Sequence, residues 1–436
     1  MRPSHLGFLS LLLVSAPGAL AAAPGDIDTT FGTNGFVTID VNNQQSFPGG
    51  FAIQDDGKLV LAGAVGPGGA RDFLLIRGTP DGAADPDFVS GGLVVTSIGP
   101  GEDLGRDVAV LPDGKILVAG MTDLNGNFDV AFVRYRADGT LDTTFGTGGI
   151  AVAPIPSLFV FPTKMALQPD GRIIVVGGSG SPPSIFVARY HEDGTLDSSF
   201  DGDGYAAIQP GGQLGIGNSV VIQGDGKIVV AGNSGPSGAQ DLTVLRLNSD
   251  GSLDTGFDGD GVAIASFGSD ASYAAGLALQ PDGAIVATGA LELSGGSEVV
   301  VVRFLPDGSL DPSFGTGGTV STPVGSNGGS GAAAALQGDG KILVAGVVSK
   351  GILDADTILL RYLSGGALDP DFAGGGLVTA DAGNNDHATS VALASDGKIL
   401  VAGQNDHDLF LIRFENDAPP PPPAGSSGGC QLIAEH

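Results

Sequence analysis

Pro112-Asp113-Gly114-Lys115-Ile116-Leu117-Val118-Ala119-Gly120 is a tight turn running straight into an apolar segment. Pro presets φ, Asp bonds its own backbone two residues on, and Gly takes a positive φ. The motif returns seven times with variations, ending at Gly63, Gly120, Gly177, Gly232, Gly289, Gly346 and Gly403. Each copy leads to an apolar run closed by Arg, at Arg77, Arg134, Arg189, Arg246, Arg303, Arg361 and Arg413. A third motif, Leu-Asp-x-x-Phe with variations, places Phe at 31, 88, 145, 200, 257, 314 and 372. Spacings are mostly 57 residues, and three motifs in one register define a repeat protein.

Within one repeat, residues 92–98 are apolar and β-branched and residues 107–111 alternate. Residues 116–119 return from the turn, and residues 130–135 form a further apolar run. Four short strands at even spacing, with a Gly signature per unit, describe a propeller blade. The expected fold is all-β: a seven-bladed β-propeller of four antiparallel strands per blade, spanning residues 22–417. In five repeats Asp-Gly follows the Arg at a fixed distance, as in Asp81-Gly82, and Gly365-Gly366 replaces it in a sixth. After Arg413 only Asp417 remains of that pair, and Gly25 stands three residues before Asp28 as Gly82 stands before Asp85. Asp417 and Gly25 read as two halves of one turn, so the chain is a circle cut inside it. An open solenoid would need distinct capping repeats instead.

Composition agrees. Of the 48 acids 42 are Asp and 6 are Glu, and there are 75 Gly, 27 Pro and no Trp among 436 residues. Asp favours turns where Glu favours helices, so this is a chain of turns and strands. A net charge of -29 excludes a nucleic-acid partner, which requires a basic footprint. Arg2 and His5, the apolar residues 6–14 and the small-x-small Ala19-Leu20-Ala21 predict a signal peptide over residues 1–21, hence export to the periplasm, cell surface or exterior. Nine apolar residues are too few to span a bilayer, and no transmembrane segment is expected in the mature chain. Residues 418–436 form a Pro/Gly/Ser-rich tail carrying the single cysteine, Cys430, which admits no intrachain disulfide. The Gly/Ser run before Cys430 is similar to the stem of bacterial surface-sorting tags, without their apolar helix and basic residues. A truncated gene, a thiol for attachment or dimerisation, and an inert tail stay open.

Repeats such as Leu141-Asp142-Thr143-Thr144-Phe145-Gly146-Thr147-Gly148-Gly149 and Asp113-Gly114-Lys115-Ile116-Leu117-Val118-Ala119-Gly120 resemble the delta-60 β-propeller repeat of exported bacterial proteins. The resemblance covers all seven units, from residue 25 to residue 417. It implies a propeller fold and export, and no established activity. The chain departs from it at Val89, where Gly is usual, and at Ala284, where Lys is usual.

The recurring residues read as structure. An Arg eight residues before the motif Asp wherever the chain is continuous predicts one ion pair per blade, fixing the link to the next blade, rather than a ring of anion sites. The seven Phe read as wedges between blades. Lys58, Lys115, Arg172, Lys227, Lys341 and Lys398 are expected as solvated edge charges. Asp201-Gly202-Asp203-Gly204 and Asp258-Gly259-Asp260-Gly261 resemble acidic calcium loops, yet they stand where Gly146-Thr147-Gly148-Gly149 has no acid. They supply few oxygens for calcium, and a turn variant is the plainer account.

Alternation of strands puts the repeated turns on one face and the non-repeated segments on the other: residues 41–50, 98–106, 155–164, 209–218, 266–274, 323–331 and 382–388, with 121–128, 179–184, 233–240, 291–297, 347–356 and 404–408. Loops on a rigid scaffold carry function, or simply drift. On that face Asn385-Asp386-His387 and Asn405-Asp406-His407-Asp408 bring His387, His407, Asp386, Asp406 and Asp408 into two adjacent loops, a candidate metal set or two polar turns. No nucleophile motif, phosphate loop or zinc signature is present, so no catalytic residue is assigned. No cofactor is implied beyond calcium or another divalent metal. The reading is an exported, non-catalytic binding module for an extracellular glycan or protein. The alternative is a metal-dependent lyase or hydrolase of an extracellular polymer.

Overall fold

In the computed structural model, which describes residues 22–417 apart from 156–159, 181–182 and 352–353, 28 strands form seven antiparallel sheets of four. The fold is a seven-bladed β-propeller. The signal segment and the tail with Cys430 lie outside the described residues. No helix among the described residues is long and apolar enough to cross a membrane.

Blade 2 shows the order: Asp103–Val110, Ile116–Thr122, Asp129–Tyr135, Ile150–Ala153. The blade is one strand out of phase with the four strands expected from the repeat. Leu93–Thr96 pairs with Phe73–Ile76 and so closes blade 1. The sequence fixes where strands begin, but the partner of each outer strand is a matter of tertiary pairing. First strands of neighbouring blades touch in a closed cycle, so they line the axis.

The second and third strands are buried at almost every residue because each blade is covered on both faces. This explains why they read as continuous apolar runs instead of alternating ones. Side chains still alternate in destination: Val130 and Phe132 join the core between blades 2 and 3, while Ala131 and Val133 join the core between blades 1 and 2. Seven such clusters, one per seam, replace a single central core.

Every first strand carries a bulge, between Gly105 and Asp107 in blade 2 and at the matching place elsewhere. The bulge drives a carbonyl against the second strand, which accounts for the Gly that ends the first motif. A Cβ at Gly232 would sit 1.9 Å from the carbonyl oxygen of Ile216. No side chain fits there.

On the turn face, each motif Arg donates from Nε to the motif Asp of its blade at 2.6–2.9 Å, eight residues on in six blades and, for Arg413, across the ends of the chain to Asp28. Its Nη1 reaches into the next blade, as Arg246 does to the Pro306 carbonyl at 2.5 Å. The guanidinium also stacks on the motif Phe, 4.3–4.9 Å from the ring centroid. All seven Phe are buried. The expected ion pair is therefore one side of a clamp that holds two blades and a ring at once.

The lysines depart from expectation. Instead of standing as solvated edge charges, Lys58, Lys115, Arg172, Lys227, Lys341 and Lys398 turn in to the motif Asp of their blade, at 2.7–3.8 Å. A buried carboxylate with spare lone pairs attracts a second cation whose long stem covers the seam. Ala284 leaves Asp311 without this partner. Val89 changes its turn: a β-branched residue resists positive φ, and the left-handed position passes to Ser90, at φ 55°. Asp201 and Asp258, at φ 48° and 49°, take the position held by Gly146 at 49°, as turn variants should.

Closure follows the predicted cut. Phe36–Ile39 is the outer strand of blade 7, paired with Leu409–Ile412. Gly25 N–H donates to the Glu415 carbonyl at 2.8 Å, as Gly82 N–H does to Thr79 at 2.9 Å. Asp28 receives Arg413 Nε at 2.6 Å. Asp417 instead pairs with Lys341 and Arg361, and the Pro24 carbonyl takes the place its backbone would have filled.

These clamps carry a pH signature. Burial alone raises Asp197, but the Ser199 hydroxyl and amide and the Arg189 guanidinium hold it down to about 2. Asp28, Asp85, Asp142, Asp254 and Asp311 are lowered likewise. A folded pKa below the unfolded one adds stability that is complete above the unfolded value and vanishes as pH falls through the folded one. Urea midpoints should therefore hold from pH 7 to about 5 and fall between about 4 and 2, Asp197 alone giving about 2 kcal/mol. Equal midpoints at pH 7 and 2.5 would contradict the clamp.

Candidate functional site

Because the strands alternate, first-to-second and third-to-fourth connections share the turn face, and the remaining connections share the other. The charged residues that recur on the turn face are occupied by the clamps. The opposite face carries the irregular loops, of which 156–159, 181–182 and 352–353 are outside the described residues. A shallow open cleft lies there between blades 5 and 6, lined by Asp270, Ser294, Ser297, Glu298, Pro323 and Ser326.

The two loops expected to hold a metal do meet. Asn405 Nδ2 donates to the Ala382 carbonyl at 3.2 Å, and Asp406 N–H donates to that of Asn384 at 3.2 Å. Their ligand-type side chains part company, however. His387 is half-buried with Nε2 3.3 Å from Asn385 Oδ1, and burial lowers its pKa. The His407 carbonyl accepts Ser46 N–H at 2.8 Å, tying blade 7 to blade 1. Asp408 N–H is held by Asn405 Oδ1 at 3.0 Å. Burial raises the Asp408 pKa, Asp40 adds to the rise and His407 opposes it.

Asp386 alone of the five joins a group of three ligand-type side chains, with Asp356 and Asp381. One carboxylate oxygen from each lies within 4.8 Å of the others. Asp356 lies near the start of the third strand of blade 6, Asp354–Tyr362, Asp381 follows its fourth, and Asp386 precedes the first strand of blade 7. The group thus spans the seam between blades 6 and 7 on the loop face. Two full charges at 4.8 Å repel by about 3 kcal/mol at an effective dielectric of about 20. Burial, with Asp381 and Asp356 adding to it, pushes Asp386 up to about 6 against amide bonds from Ala382 and Gly383. Lys350 Nζ stands 2.7 Å from Asp356 Oδ1 and offsets one of the three charges.

Sequence reasoning missed Asp356 and Asp381 because they belong to the preceding blade. The signal was present: Asp72, Asp129, Asp241, Asp356 and Asp408 occupy one place in the repeat, the start of the third strand. Asp408 is therefore the blade 7 copy of a recurring acid.

Six segments, residues 54–88, 111–145, 168–200, 223–257, 280–314 and 337–372, match the family described as a domain of unknown function (DUF5122) β-propeller. Each segment runs from the Asp-Gly turn to the motif Phe. The unit divided between the two ends of the chain is not among them. No curated protein matches the sequence. Among solved structures, a catalytically inactive virginiamycin B lyase from Staphylococcus aureus with quinupristin is similar at 11% identity and a TM-score of 0.51, covering 86% of this chain and 98% of that one. A polysaccharide lyase of family PL25, an ulvan lyase, is similar at 12% identity and a TM-score of 0.50, over 86% of this chain and 95% of that one. The polysaccharide lyase Uly1 is similar at 11% identity and a TM-score of 0.50, over 88% and 99%. At such identities the likeness shows the fold alone.

Proposed function

Since the chain is built from the repeats of a β-propeller family, we propose that it is an exported or surface-displayed binding module, non-catalytic, which holds an extracellular glycan or protein on its loop face. The supporting observation is the division of labour between the faces. The recurring Arg, Asp, Phe and Lys of the turn face are bound to one another, whereas the loop face carries the segments free to vary. Its open cleft suits an extended ligand better than an enclosed small molecule.

Binding to arrays of extracellular polysaccharides and surface proteins tests this. Residues 123–128 join two paired strands, so Asn-Gly can replace them as a two-residue hairpin. A panel of such loop replacements should include one that weakens binding at least tenfold with an unchanged melting temperature, while Lys227→Ala on the turn face leaves binding intact. Binding that survives every loop replacement would place the ligand elsewhere. Metal-dependent cleavage of a bound polymer would favour the lyase or hydrolase.

A further inference from the structure

We infer that Asp356, Asp381 and Asp386 form a binding site for one hard divalent cation, of the calcium class, joining blade 6 to blade 7. Three positions of the repeat meet at every seam on the loop face: the start of the third strand, the residue after the fourth, and the entry to the next first strand. In the seam between blades 1 and 2 they are Asp72, Ser97 and Asp103; between blades 7 and 1 they are Asp408, Asp40 and Ser46. Only between blades 6 and 7 are all three acidic.

Comparison of Asp103 with Asp386 shows what the cation would replace. Both carboxylates are fully buried. At Asp103 every need is met by protein: Oδ2 accepts the N–H groups of Ile98 and Gly99 at 2.7 and 2.9 Å, and Oδ1 accepts the Thr122 hydroxyl at 2.6 Å. At Asp386, Oδ2 accepts the Ala382 N–H, but Oδ1 has no hydrogen-bond partner. Asn405, at the position of Thr122, has turned its amide to the Ala382 carbonyl. A buried carboxylate oxygen is rarely left without a partner, and the Asp386 carboxylate has two further carboxylates beside it, of which Asp356 is paired with Lys350.

The donors decide the class of ion. All three are carboxylate oxygens, which suit calcium or magnesium and not zinc or copper. Two oxygens on one Ca²⁺ lie up to about 5 Å apart, given bonds of about 2.3–2.6 Å. The separations within 4.8 Å satisfy that span. Water would complete the shell on the exposed side, beside Asp381. A cation here would clamp residues 381–386 and the last seam before the ring closes, whichever ligand the loop face takes.

The purified protein, stripped with EDTA and titrated with CaCl₂ by calorimetry, should take up one Ca²⁺ and melt higher. Asp386→Asn and, separately, the more exposed Asp381→Asn should each weaken uptake at least tenfold, while Asp40→Asn at the neighbouring seam should leave it unchanged. If Asp386→Asn fails to fold, Asp381→Asn carries the test. No uptake by the unaltered protein, equal uptake by Asp381→Asn, or binding of Zn²⁺ in preference to Ca²⁺ would overturn the assignment.

Discussion

Arg361→Ala should cost about 3–5 kcal/mol, the range for removing one partner from a buried ion pair. Arg361 is fully buried and serves four partners. Nε donates to Asp369 at 2.8 Å, Nη1 lies 3.0 Å from Asp417 and donates to Asn416 at 2.7 Å, and the guanidinium covers the Phe372 ring at 4.6 Å. Truncation leaves Asp369 buried beside Lys341 alone, 3.5 Å away, and frees the end of the chain at residues 416–417. Against a net stability of about 5–15 kcal/mol for ordinary domains, this is about a fifth or more. Urea unfolding followed by circular dichroism should show it, because the chain has no Trp to report by fluorescence. Arg361→Lys keeps a charge but not the planar fork, and should fall between the two. A loss below about 1 kcal/mol would mean that the clamps are ornamental and that apolar seams alone hold the ring.

Removing residues 22–40 should be more damaging still. The deletion takes the outer strand of blade 7, the wedge Phe31 and the carboxylate of Asp28 together. Loss of a buried Phe costs about 3–5 kcal/mol, and an Arg413 left without its acid costs a comparable amount. Their sum reaches the whole stability expected of a domain. The uncovered edge, Leu409–Phe414, is apolar and would template strand pairing between molecules. The truncated protein should aggregate, and a peptide spanning residues 22–45 added in trans should restore a soluble, cooperatively melting species. A truncated protein that stays monomeric and melts like the intact one would show that the ring does not depend on its closing strand.

Much of this was legible beforehand because it is local. The Asp-Gly-Lys turns, the bulk of the strand positions and the pairing of Arg246 with Asp254 follow from short spacings, and Gly25 with Asp417 marked the cut. The fate of Lys227 was not legible. A turn lysine looks solvated until the connection after the third strand brings Asp254 to within 2.9 Å. The Gly at 232 gave a signal without a reason, which only the bulged Ile216 carbonyl supplies. His387 and His407 stand in two adjacent loops of one blade, which the repeat pattern shows. The acids that do gather, Asp356, Asp381 and Asp386, come from two blades.

The stretch from Pro112 to Gly120 and its six counterparts determined the number of blades, and Gly25 with Asp417 the circularity of the chain. Turn chemistry acts over a few residues, and its repetition is visible without coordinates. Tertiary structure alone decided which strand closes which blade, where each charge finds its partner, and which seam collects three carboxylates. Those outcomes depend on register between blades, which is set by packing and bulges across residues far apart in the chain.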